Sequence, residues 1–207
     1  MRFLTLFLVL LSLNLKARQN NTFKPQSNKS KKSKKLKNNG NNLLDKFQIS
    51  YQLNGFSEEQ EAKMELALEK LKIAVKSEEF KQAVLNHIYK GQRRFYKSKG
   101  MTNQEVYDHI LRGVEDLSPI EDFEMDLKLT LYHSKTNTVG YTYPNTNEIW
   151  VNDKYFNKYT LGEVANNAMH EWLHKIGFEH SYYNNPDRPY TVPYAIGEII
   201  EDIVNKL

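Results

Sequence analysis

Residues 160–180 read TLGEVANNAMHEWLHKIGFEH, and the rest of the chain is arranged around this stretch. Thr160 followed three residues later by Glu163 is a capping box, so a helix opens here. Val164, Ala168 and Leu173 continue it at helical spacing. On such a helix His170 and His174 lie one above the other, where both imidazoles can reach a single ion. Glu171 follows the first histidine and points partly the same way, toward the place of a water on that ion. Gly177 is positioned to end the helix in the left-handed backbone that glycine adopts without steric cost. The chain then swings back, and His180 can return as a third nitrogen ligand, leaving a fourth position for water.

Accident explains this pattern poorly. The His-Glu-x-x-His core is expected by chance in roughly one such chain in a hundred, and the added glycine and third histidine lower that to roughly 10⁻⁵. His87, His109 and His133 have no partners at ligand spacing and read as structural histidines.

Working outward, KFQISYQL at 46–53 alternates Phe47, Ile49, Tyr51 and Leu53 with polar residues, which predicts a first strand. Ser57 with Gln60 opens a long amphipathic helix through Met64, Leu68, Leu71 and Val75. SEEF at 77–80 restarts or continues it, with Phe80, Val84 and Ile88 as its apolar stripe. Gly100 breaks the chain, and TNQE at 102–105 opens a further helix through Val106, Ile110 and Leu111. The period then becomes two: Leu127, Leu129 and Leu131 mark a half-buried strand. Residues 139–143 and 148–152 read as short strands joined by a turn containing Pro144, Asn145 and Asn147. Pro193 starts a last helix with Ile196, Ile199, Ile200, Ile203 and Val204 on one face. The expected class is α+β.

A chain of 207 residues with 40% hydrophobic content supports one core. Residues 1–17, one arginine ahead of an apolar run, have the pattern of a secretory signal peptide and are too short to span a bilayer comfortably. Export to the medium, periplasm or cell envelope is therefore expected. Residues 18–42 are rich in Lys and Asn and read as a disordered linker or pro-segment, with attraction to an anionic surface as the alternative. Ten of the 29 Lys and Arg residues lie before residue 43, where no Asp or Glu occurs; the remaining 19 face 25 acidic residues, so the domain expected at 43–207 carries −6. No cysteine is present, which excludes disulfides, and a monomer is expected.

His170, Glu171, His174, Gly177 and His180 together resemble the extended zinc-binding consensus of the metzincin metallopeptidases. The resemblance implies a twisted mixed sheet, long N-terminal helices, an active-site helix and a C-terminal helix. It implies a Zn²⁺ cofactor on His170, His174 and His180, Glu171 as base and then acid, and a protein or peptide substrate. It also implies an antiparallel edge strand over the cleft, which makes Gly140, Tyr141, Thr142 and Tyr143 candidates for pairing with the substrate backbone. Metzincins carry a methionine in a turn beneath the metal, whereas this chain has none after His180. Val192, Tyr194 or Ile196 stands in that region, and Tyr194 is similar to the tyrosine that in some metzincins faces the oxyanion. A secreted non-catalytic binding protein, stabilised by a structural metal and anchored to anionic surfaces by its Lys-rich tail, is the rival reading; a nucleic-acid binder, resting on the lysine tail alone, is the third.

Overall fold

The computed structural model describes residues 34–35 and 43–207. The signal-peptide expectation for 1–17 lies outside them, as does most of the Lys-rich 18–42 stretch. In chain order the elements are β1 (Lys34–Lys35), α1 (Leu43–Lys46), β2 (Gln48–Asn54), α2 (Glu58–Val75), α3 (Glu78–Leu85), β3 (Ile88–Tyr89) and β4 (Gln92–Arg93). There follow α4 (Asn103–Arg112), β5 (Glu124–Tyr132), β6 (Gly140–Thr142), β7 (Glu148–Asn152), α5 (Asp153–Phe156), α6 (Leu161–Lys175), a 3₁₀ turn (Arg188–Tyr190) and α7 (Val192–Val204).

The sheet is mixed, ordered β1-β2-β5-β7-β6. β2, β5 and β7 run parallel, with Tyr51 opposite Leu127 and Leu129 opposite Ile149. β6 is antiparallel to β7 and forms the edge, pairing Tyr141 with Trp150. The fold is α+β, and three of its helices, α2, α4 and α6, open with the capping boxes that the sequence announces. Ser57, Thr102 and Thr160 each accept from the backbone N–H three residues on, while Gln60, Glu105 and Glu163 bond back to the cap. Two orphan donors are thereby satisfied at each helix start.

Alternation in the strands sends Phe47, Ile49, Met125, Leu127, Leu129, Ile149 and Val151 into one core. Met64, Leu68 and Leu71 of α2, Ala168 and Trp172 of α6, and Ile196 and Ile200 of α7 close over it. α6 packs most extensively on α7, and the two run antiparallel: Gly197 abuts Asn166, while Gly162 meets Asn205.

One expectation is corrected. Ile88 continues the helical stripe in sequence but is 55% exposed and belongs to β3. The helix stops because the Asn86 amide donates to the Gln82 carbonyl at 2.9 Å, taking a terminal acceptor, and the chain then enters a hairpin at Gly91. α3 is a separate helix from α2, restarted by the Ser77 hydroxyl accepting from the Phe80 N–H.

Candidate metal centre and cleft

α6 ends as its sequence implies. Gly177 takes φ +86°, its N–H donates to the His174 carbonyl at 3.2 Å, and the Phe178 N–H donates to the Leu173 carbonyl at 2.9 Å. This is a Schellman termination, and the fully buried Phe178 anchors the chain after it reverses. The reversal carries His180 back beside His170 and His174.

The same reversal orients the ligands. The Phe178 carbonyl lies 2.7 Å from His174 Nδ1, and the Ser181 carbonyl lies 3.0 Å from His180 Nδ1. A carbonyl can only accept, so both Nδ1 atoms carry the hydrogen and both Nε2 atoms present lone pairs. The Pro193 backbone also acts on His170, as a hydrogen-bond partner that favours its protonated form against burial. His170 Nε2 and His180 Nε2 are 3.2 Å apart, and one nitrogen from each of the three rings falls within 4.8 Å of the others. Two nitrogens each about 2.05 Å from a tetrahedral ion would be about 3.3 Å apart, so the spacing suits a shared metal. His170, His174 and His180 can therefore bind a metal ion.

Electrostatics favour the ligand state. Burial holds His174 down at about 4, and burial followed by the neighbouring His174 and His180 holds His170 well below the usual imidazole range. His180 is lowered too, chiefly by burial. Neutral imidazoles at physiological pH are what a metal requires. Glu171 moves the other way: burial raises its carboxyl to about 7, against the pull of Lys175 one turn on. A carboxyl near neutrality can both take and give a proton.

These groups line a cleft of about 1340 Å³. One wall is α6 with His180; the opposite wall is β6 and the segment leading into it. Gly140 brings the walls close, since a Cβ there would lie 2.8 Å from the Asn167 side chain of α6. Tyr141 stacks on Trp150 at 5.1 Å, and the Thr142 hydroxyl donates to the Glu148 carbonyl at 2.7 Å, bracing the strand. Tyr143 lies just past β6, 55% exposed, with its carbonyl accepting from Lys175 Nζ at 3.0 Å. Tyr194 packs edge-on against His170 at 4.6 Å and against His180 at 4.9 Å, whereas Val192 and Ile196 are wholly buried. The remaining histidines stand apart: His87 stacks on Phe95, His109 bonds the Ile176 carbonyl and His133 pairs with Asp153.

Four residues of this region carried no signal in the sequence. Lys175 is only 6% exposed and donates to the carbonyls of Tyr143 and Thr146, tying α6 to the hairpin. Glu115 accepts from Trp172 Nε1 at 2.7 Å, bracing the metal helix from behind. Arg188 lies over the Tyr194 ring at 4.6 Å, and Tyr132 lines the strand side with a buried hydroxyl that has no hydrogen-bond partner among the described residues. No protein-family model matches the chain, and a search of the curated proteins finds no match.

Proposed function

We propose that the chain is an exported, zinc-dependent endopeptidase of metzincin type. The observation that carries this reading is the convergence of three neutral imidazoles on one point, beside a buried carboxyl raised to about 7, in a cleft with an open strand edge. His170, His174 and His180 would hold the zinc, which when bound supplies a Lewis acid and an acidified water. Three imidazoles suit copper or iron as well, but the neighbouring carboxyl suits hydrolysis, which needs no redox change.

In this mechanism Glu171 accepts a proton from the attacking water and passes it to the leaving amine, and a carboxyl raised to about 7 matches that double duty. Along β6, an extended peptide adds as a further antiparallel strand, so Gly140, Tyr141 and Thr142 hold its backbone across the cleft. The Tyr143 carbonyl, already engaged by Lys175, fixes the hairpin instead. The Tyr194 ring packs against two of the histidines, which supports a role in the region where metzincins have their methionine turn; its phenol would meet the oxyanion. The signal-peptide pattern at 1–17 directs export, and the Lys-rich 18–42 stretch adds attraction to anionic surfaces.

Support for a reactive rather than a structural metal comes from the core. Trp172, Leu173, Ile176 and Phe178 are fully buried around the metal helix, so its packing does not depend on an ion. Chelation is therefore expected to abolish activity and leave the fold intact. The test is metal analysis of purified protein together with a peptide-library digest. Glu171→Gln should retain zinc and lose about 10²- to 10⁴-fold in kcat. Equal turnover by Glu171→Gln and wild type would refute the reading.

A further inference from the structure

Among the described residues Arg188 is the one Lys or Arg lining the cleft, and its guanidinium forms no ion pair with a carboxylate. Its backbone is fixed first. The 3₁₀ turn it opens follows a bond from the Arg188 N–H to the Asn185 carbonyl at 3.1 Å, and its own carbonyl accepts from both the N–H and the hydroxyl of Thr191. The side chain then lies over the Tyr194 ring at 4.6 Å, a cation–π contact that holds the planar fork in one orientation. Nε is buried and has no hydrogen-bond partner among the described residues. Asp187, the adjacent acid, is committed to Lys90 at 3.3 Å.

Apart from Glu171, which stands among the histidines, the other acids of the cleft lie elsewhere. Glu163, Glu198, Glu201 and Asp202 line its far part, where the start of α6 meets the end of α7. Glu163 is seven residues before His170, which on a helix is about 10 Å along the axis. Glu201 is engaged by the Asn166 amide at 2.7 Å. The cleft is thus polarised, with four acids toward that end and, at the histidine end beside Glu171, a guanidinium that forms no ion pair among the described residues.

A desolvated donor beside a cation-binding centre is costly unless an anion completes it. We propose, building on the peptidase reading, that Arg188 is a specificity-determining residue that receives a carboxylate of the substrate close to the scissile bond. The fork geometry suits bidentate capture of a planar carboxylate. Two sources share that chemistry: the C-terminal carboxylate of a peptide and the side chain of Asp or Glu.

The experiment measures binding and needs no turnover. The probes are N-acetyl-Ala-Ala-Ala as the free acid and as its C-terminal amide, with N-acetyl-Ala-Glu-Ala-amide and N-acetyl-Ala-Gln-Ala-amide as the side-chain pair. Each is titrated into metal-free wild type, and into zinc-loaded Glu171→Gln to prevent cleavage. At least one carboxylate probe should bind roughly 10- to 100-fold more tightly than its neutral partner in both proteins, and whichever pair shows the preference identifies the source. Arg188→Gln should erase that preference, and Arg188→Lys should keep part of it. Equal binding of both acids and their neutral partners to wild type would overturn the proposal without reference to any variant. A preference that survives in Arg188→Gln, or a uniform fall in affinity for all four probes with no change in preference, would overturn it too. A chain that cleaves no peptide but retains the Arg188-dependent preference would refute the peptidase reading, and with it the role in cleavage specificity, and leave only carboxylate binding at Arg188.

Discussion

One wall of the cleft is a helix and the reversal that follows it; the other is a short strand with an open edge. On the helix wall the chemistry resides in side chains, and the backbone serves them: carbonyls of Phe178 and Ser181 each fix an imidazole. On the strand wall the relation is inverted. There the backbone edge is what a peptide would use, and side chains serve the backbone, Lys175 through two carbonyls and Tyr141 by stacking on Trp150. The difference teaches that the two walls should fail separately. Damage to the first should appear in metal binding and kcat, and damage to the second in KM.

Lys175 offers the largest test of that separation, because it belongs to one wall and holds the other. Lys175→Met strips the carbonyls of Tyr143 and Thr146 of their donor, at about 1–3 kcal/mol. We expect a KM for long peptides raised about tenfold, with zinc affinity within twofold of wild type. A variant that loses zinc instead would show that the walls are not independent.

Glu115 tests the helix wall from behind. Burial raises its carboxyl to about 7 from the ordinary 4.5. Because the folded value is the higher one, the stability it contributes is full below about pH 4.5 and is lost as pH rises through about 7. Glu115→Gln keeps an acceptor for Trp172 and cannot ionise. Relative to wild type it should gain stability between pH 5 and pH 8, on the order of 2 kcal/mol. Urea denaturation at the two pH values reads this difference directly, and the depressed histidines, common to both proteins, cancel. An identical pH dependence in the two proteins would contradict the assignment.

Gly140 gives the smallest expected effect and the most local one. Its Cβ would meet the Asn167 amide at 2.8 Å and the Trp150 carbonyl at 3.2 Å. The amide is the end of a flexible side chain and can yield, so Gly140→Ala should cost about 1 kcal/mol and raise KM a few-fold with kcat nearly unchanged. A fall in kcat alone would place Gly140 on the wrong wall.

The same contrast explains what the sequence disclosed. The helix wall is written in local signals: the Thr160 and Glu163 box, the four-residue histidine spacing and the left-handed Gly177 all act within one turn. The strands were legible from alternation, and β6 was placed to within a residue at each end. Lys175 reads as an ordinary cation of a last helical turn, and only the fold reveals that it is buried against the hairpin. Arg188 sits in a polar loop whose course depends on a parallel bridge between Tyr96 and Thr191, far apart in the chain. Ile88 departs from the helical stripe because the apolar periodicity runs on in sequence past the point where Asn86 ends the helix.

The central claim is that three Nε2 atoms share one ion, and diffraction from zinc-soaked crystals at the zinc absorption edge tests it most directly. The account expects a single anomalous peak about 2.0–2.1 Å from Nε2 of His170, His174 and His180, absent in His180→Ala. No peak at that position, or an ion held through Nδ1 with His180 turned away, would contradict it.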